Sequence, residues 1–142
     1  MNEATYQLFV YGSLRSGFRN TAYLYLAKYF HLLGEGMVKG KLFDNGSFPV
    51  AIPFSGDSFI IGELYELNNQ EEFVWAIGQL DDYEGLNVEP GEKPLYKREL
   101  VTVIQNGVAS EAWIYWYNGS VNNMQEIETG DLVKYIQQKN KP

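Results

Sequence analysis

The chain has 142 residues, the length of one domain, with 45% hydrophobic residues and a net charge of −7 from 11 Lys+Arg and 18 Asp+Glu. Its bases come singly or in short pairs, which excludes the basic patch that nucleic acid or an anionic membrane surface requires, and no run nears the ~18 apolar residues of a spanning helix. With no Cys and one His, His31, disulfides, thiolate nucleophiles and cysteine or multi-histidine metal sites are excluded, and acid–base chemistry falls to carboxylates.

The acids are unevenly placed. Seven of the 18 lie between Glu71 and Glu92 with no Lys or Arg among them, so the rest of the chain holds 11 acids against 11 bases. One short segment carries the whole net charge.

In chain order, Gln7–Tyr11 is a short apolar run stopped by Gly12, the pattern of a strand ending in a glycine turn. No basic stretch leading into an apolar one comes before it, so a cytoplasmic location without a signal peptide is expected. Asn20–Tyr29 predicts a helix capped by Asn20, with Leu24, Ala27 and Lys28 at helical spacing. Leu32–Asp44 is strand-like but interrupted by Gly34, Gly36 and Gly40, which predicts bends or bulges, and Asn45-Gly46 is a turn. Phe59–Leu67 predicts a strand with Gly62 inside it. Asn69 followed by Glu72 resembles a capping box, opening a helix to about Tyr83 with Gly85 as its stop. Leu95–Gln105 and Val108–Tyr117 form a hairpin through Asn106-Gly107. A last helix follows Gly130-Asp131, with Leu132, Tyr135 and Ile136 on one face. Strands and about three short helices without regular alternation predict an α+β fold, and the glycine-broken strands favour a small barrel. A single domain over residues 1–142 is expected.

Two places carry chemistry. Tyr11-Gly12-Ser13-Leu14-Arg15-Ser16-Gly17 follows the first strand, and its successive N–H groups suit an anion nest or a close ligand. Its glycine spacing nearly matches a P-loop, but Phe18-Arg19 stand where Lys and Ser/Thr are required, which excludes triphosphate chemistry. An ordinary strand-ending turn fits the same residues.

The second place is the end of the acidic helix. Phe73, Ile77 and Leu80 form one apolar stripe, and the next position on it is Glu84. A glutamate thus stands where a core residue is due, at the negative pole of the helix and beside Asp81 and Asp82. Burial, like charge and dipole all raise its proton affinity, as a proton shuttle near neutral pH requires. A frayed helix with three solvated acids is the plain alternative.

Together these pieces resemble the gamma-glutamylcyclotransferase-like superfamily, in its small Tyr-Gly-Ser-Leu type. The matching residues are Tyr11-Gly12-Ser13-Leu14 and Leu80-Asp81-Asp82-Tyr83-Glu84-Gly85. Gly36 and Gly40, Leu42-Phe43-Asp44, Gly46, Phe48-Pro49, Tyr96, Arg98, Val101-Thr102-Val103, Ala112-Trp113-Ile114-Tyr115, Gly130-Asp131 and Tyr135 agree in order. The resemblance implies a small mixed β-barrel with flanking short helices. It also implies a cyclotransferase that releases 5-oxoproline from a γ-glutamyl amine or amino acid by attack of the α-amine on the γ-carbonyl. Carried over, Tyr11, Gly12, Ser13 and Leu14 bind the glutamyl head and Glu84 is the catalytic acid/base. Such a reaction needs no metal or organic cofactor, and the expected partner is the small-molecule γ-glutamyl substrate, with no nucleic acid and no membrane. A binding module with the same pocket and no turnover is the alternative, and a glycosidase would need a second carboxylate at ~5–10 Å. Arg98 suits either a substrate carboxylate or the surface, and Tyr115 and Tyr117, on one strand face, either line the pocket or pack. His31 is expected to be structural or exposed. The segment from Gly85 to Tyr96 is expected to be a loop over the site, and the leaving group and oligomeric state stay open.

Overall fold

The computed structural model describes residues 5–12, 21–46, 48–86 and 88–139. Among them are seven strands: β1 (Gln7–Val10), β2 (Phe30–Asp44), β3 (Pro49–Pro53), β4 (Phe59–Leu67), β5 (Tyr96–Gln105), β6 (Val108–Tyr117) and β7 (Gln125–Ile127). Three helices accompany them: α1 (Thr21–Tyr29), α2 (Phe73–Tyr83), entered through a 3-10 turn Gln70–Glu72, and α3 (Leu132–Lys139).

Five strands close a barrel in the order β2-β4-β1-β6-β5, with β5 returning to β2 at Met37 and Ile104. All neighbours are antiparallel except β1 and β6, which run parallel at Leu8 and Trp113. β3 and β7 both pair with β2 near Leu42–Asp44. The expected small mixed barrel with short flanking helices is therefore the fold.

Strand β1 explains why its sequence is apolar without alternation. Phe9 and Tyr11 join one buried cluster with Ile60, Leu64, Val103, Ile114 and Trp116. Leu8 and Val10 face the other way, into a second cluster with Leu26, Ala76, Ile77, Leu80 and Tyr115. Both faces are covered, so both must be hydrophobic.

The glycines of β2 and β4 are corrected in their role. One bulge exists, between Leu32 and Gly34, where Gly34 has φ 136°. Gly36 and Gly62 instead allow close packing: a Cβ on Gly62 would run into the Val10 carbonyl oxygen and stand 2.6 Å from Phe9 Cζ, and one on Gly36 would stand 2.9 Å from Val103 Cγ1. The Phe9 ring and the Val10 carbonyl take the space a side chain at Gly62 would need, and Val103 takes that of Gly36.

The helix at 21–29 forms, but Leu24, Ala27 and Lys28 face solvent, and Leu26 is the buried residue. Its expected cap, Asn20, lies outside the described residues. Helix α3 packs as expected, with Asp131 Oδ1 accepting the Val133 N–H at 3.0 Å and Leu132 buried. The β5–β6 hairpin turns through Asn106 (φ 52°) and Gly107 (φ 78°), both left-handed as a tight primed turn demands. No helix among the described residues is long and apolar enough to cross a membrane.

Candidate active site

Helix α2 begins without the reciprocal capping box. Asn69 Oδ1 accepts the Glu71 N–H at 3.0 Å, and the first turn is 3-10. Its far end is closed by three backbone bonds. Glu84 N–H donates to the Leu80 carbonyl (2.9 Å), Gly85 N–H to Asp82 (3.1 Å) and Leu86 N–H to Asp81 (3.0 Å). Gly85, with φ 78°, takes the left-handed position that this termination requires. The helix does not fray before Glu84. The side chain stays on the stripe with Ile77 and Leu80, both buried, and is itself half-buried.

Glu84 opens into a cavity of about 550 Å³ between the end of α2, the end of β1, and strands β5 and β6. Buried Phe9, Val10, Tyr11, Tyr96 and Tyr115 form its inner wall. Phe48, Tyr83 and Leu95 form an exposed apolar rim, joined by Pro49. Tyr11, Gly12 and Glu84 thus come together from distant parts of the sequence, and Leu95 brings the end of the 85–96 segment to the rim. Ser13 and Leu14 lie outside the described residues. Among the described residues Glu84 is the one carboxylate on the cavity wall, whereas a glycosidase needs two facing its substrate.

Burial pushes the Glu84 carboxyl up to about 7. The sequence offered three causes, and one of them carries the effect. Asp81 is not a bare negative neighbour: Arg98 Nε donates to its Oδ1 at 2.8 Å and Arg98 Nη2 to its Oδ2 at 3.1 Å. The Tyr115 hydroxyl donates to the same Oδ1 at 2.7 Å. Arg98 is therefore not a solvated surface residue and is not on the cavity wall; it is forked onto Asp81 and lies over the Trp113 ring at 4.5 Å.

The tyrosines hold the frame. Tyr11 donates its hydroxyl to the Tyr115 carbonyl at 2.5 Å, so what it offers a ligand is its ring and main chain. Burial first, and the nearby Glu84 in lesser degree, raise Tyr11 and Tyr96 well above the ordinary phenol. For Tyr115, burial comes first and its bond to Asp81 second. All three stay neutral at ordinary pH. Tyr117 packs edge-on to Tyr96, 5.9 Å between ring centroids, rather than lining the cavity wall. His31 is exposed, its Nδ1 2.6 Å from Asn68 Oδ1.

Residues 8–134 match the family described as gamma-glutamyl cyclotransferase, AIG2-like. The chain belongs to this family. Protein MJ1514 of Methanocaldococcus jannaschii is 33% identical over 132 residues, covering 90% of this chain and 96% of the relative. The gamma-glutamylcyclotransferase family protein YtfP of Escherichia coli K12 is 32% identical over 126 residues, 88% of this chain and 94% of that one. The solution structure of Escherichia coli ytfP superimposes with a TM-score of 0.61 at 27% identity, covering 92% of this chain and 98% of that one. A Niallia circulans protein named gamma-L-glutamyl-butirosin B gamma-glutamyl cyclotransferase is 32% identical over 112 residues, 78% of this chain and 66% of that one. Within this gamma-glutamyl cyclotransferase family member, Tyr96, Leu95, Tyr83 and Phe48 complete a wall that residue spacing did not reveal. The only advance signal was the order of short motifs, with Phe48-Pro49 and Tyr96 among them.

Proposed function

We propose that this protein is a cyclotransferase that converts a γ-glutamyl amine or amino acid to 5-oxoproline and the free amine. The observation that carries the reading is Glu84, a carboxyl balanced near neutrality by burial, facing a tyrosine-walled cavity beside the end of β1. Family membership supports the substrate class, and the Niallia circulans relative is named for a γ-glutamyl compound, gamma-L-glutamyl-butirosin B.

The steps follow from that geometry. The substrate's α-ammonium, ordinarily near ~7.7–8.0, gives a proton to the Glu84 carboxylate. The freed amine nitrogen attacks the γ-carbonyl carbon of the same molecule, and the carbonyl electron pair moves to oxygen. The tetrahedral intermediate collapses and the bond to the leaving nitrogen breaks as Glu84 returns a proton to that nitrogen; the ring nitrogen then gives its surplus proton, through the regenerated Glu84 carboxylate, to the departing amine, which leaves as an ammonium ion. Protons balance, and no co-reactant enters. The buried wall folds the glutamyl chain so that nitrogen and carbon meet, which converts attack into a ring closure. Tyr11 and the main chain at Gly12, both on the cavity wall, are assigned to the glutamyl head, with Ser13 and Leu14 assigned to the same task from the motif.

Glu84→Gln keeps the shape and removes the proton. We expect release of 5-oxoproline from a panel of γ-glutamyl amino acids, γ-glutamyl amines, glutathione and γ-glutamyl-ε-lysine to fall at least ~100-fold, with the fold intact by circular dichroism. Undiminished turnover in that variant ends the assignment of Glu84. Tight binding of the panel by the wild type with no product identifies a binding module instead.

A further inference from the structure

The proton-shuttle reading leaves one neighbouring group unexplained. Asp81 lies one helical turn before Glu84 on α2, so the two carboxyls sit on the same side at ~5–6 Å between Cβ atoms. A carboxylate one turn away is a like charge beside Glu84 unless a cation is held against it.

The surroundings of Asp81 supply that cation. Arg98 on β5 and Tyr115 on β6 are cross-strand partners in register, and Asp81 joins both, taking Arg98 in a two-pronged fork and the Tyr115 hydroxyl at 2.7 Å. The Arg98 side chain is 22% exposed and that of Asp81 16%, so this is not a solvated surface pair. A fork to a carboxylate, stacked on a ring, fixes direction as well as charge. Tyr115 then passes the constraint on: its ring lines the cavity and its carbonyl receives the Tyr11 hydroxyl. The end of α2 and the end of β1 are thereby fastened to one strand residue.

We propose that the Asp81–Arg98 pair is the positioning element of this site, holding Glu84 against the β5–β6 hairpin through Tyr115 and cancelling the charge one turn away from it. It rests on the reading of Glu84 as the shuttle. Among the described residues, the titratable and charged groups around Glu84 are Tyr11 at the end of β1, Tyr96 from β5, Tyr115 from β6, and Asp81, Asp82 and Tyr83 from its own helix, with Arg98 of β5 one contact away through Asp81. Tyr11, Tyr96 and Tyr115 stay neutral, so among the described residues Arg98 is the one cation in that set, and it is paired with Asp81.

The test is the ¹³C NMR titration of the Glu84 carboxyl in the full chain, with Glu84→Gln identifying the resonance. Asp81→Asn still accepts the Tyr115 hydroxyl but strands a cation, and the midpoint falls by about one pH unit. Arg98→Met strands an anion, and the midpoint rises by about the same amount. The double variant returns near the wild-type midpoint. Arg98→Lys keeps the charge and loses the fork: the midpoint holds, while kcat for γ-glutamyl release drops several-fold at little change in KM. Opposite shifts that cancel are the signature; a purely structural pair moves the midpoint in neither variant or in the same direction in both, and either result overturns the proposal. Should Arg98→Met not fold, an unmoved midpoint in Asp81→Asn overturns it alone. If no γ-glutamyl compound is consumed by the wild type, the reaction assigned above fails, while the titration still decides whether the pair governs Glu84.

Discussion

The two ends of helix α2 carry the same kind of side chain under opposite conditions. At the start, Glu71 and Glu72 sit where backbone N–H groups lack helical partners, and Asn69 fills one of them. Negative charge is favoured there. At the finish, Asp81, Asp82 and Glu84 crowd the pole that prefers cations. The structure handles two of these acids differently. Asp81 receives an arginine fork and a phenol, whereas Glu84 receives burial with no basic partner among the described residues. A stretch that composition presents as one acidic block therefore holds charge that stabilises, charge that is cancelled, and one proton held in balance.

That contrast can be broken by substitution, and the largest loss of stability is expected at Asp81. Asp81→Ala leaves the Arg98 fork and the Tyr115 hydroxyl without their acceptor, at a cost of about 3 kcal/mol in urea unfolding. Next comes the pH dependence of Glu84→Gln. The Glu84 carboxyl moves from an ordinary 4.5 to about 7 on folding, so the folded state binds the proton more tightly. Its contribution is fully present below about 4.5 and is lost as pH rises through about 7. The glutamine variant, which cannot ionise, gains on the wild type by up to roughly 3 kcal/mol between pH 4 and pH 8, read as diverging thermal midpoints. Equal curves across that range would mean that Glu84 is solvated. Gly85→Ala forces a side chain into the left-handed region and costs about 1–2 kcal/mol, together with a loss of activity as the helix end shifts. Asn69→Ala, at the opposite end, costs about 1 kcal/mol in stability and leaves kcat/KM unchanged. A fall in turnover from that last variant would mean the two ends are not independent.

The sequence made the local pieces readable where one short-range rule dominates. β4 runs over the expected Phe59–Leu67, and the Asn106-Gly107 turn closes the expected hairpin. The stripe through Ile77 and Leu80 placed Glu84 before any coordinates, because helical periodicity and the Gly85 stop agree. β3 escaped notice because prolines stand at both ends of a five-residue strand, and β7 because three residues carry no pattern. The partner of Arg98 was hidden for a different reason. Asp81 reaches it only after the hairpin folds back on α2, 17 residues earlier in the chain. The same holds for Tyr96 and Tyr115, whose place at the cavity depends on how the barrel closes. The buried face of α1 was not legible from spacing: Leu24 stands 60% exposed while Leu26 carries the packing.

Helix α2 also acts as a ruler. Glu84 is set by counting from Phe73, Ile77 and Leu80, not by a loop that can adjust. Inserting one residue between Leu80 and Glu84 would turn the carboxyl by about 100° and lift it out of the cavity. An insertion among residues 85–95 leaves that angle alone. Length variation among relatives is accordingly expected after Gly85 and not within the helix, so the reach of the pocket can evolve while the place of the proton stays fixed.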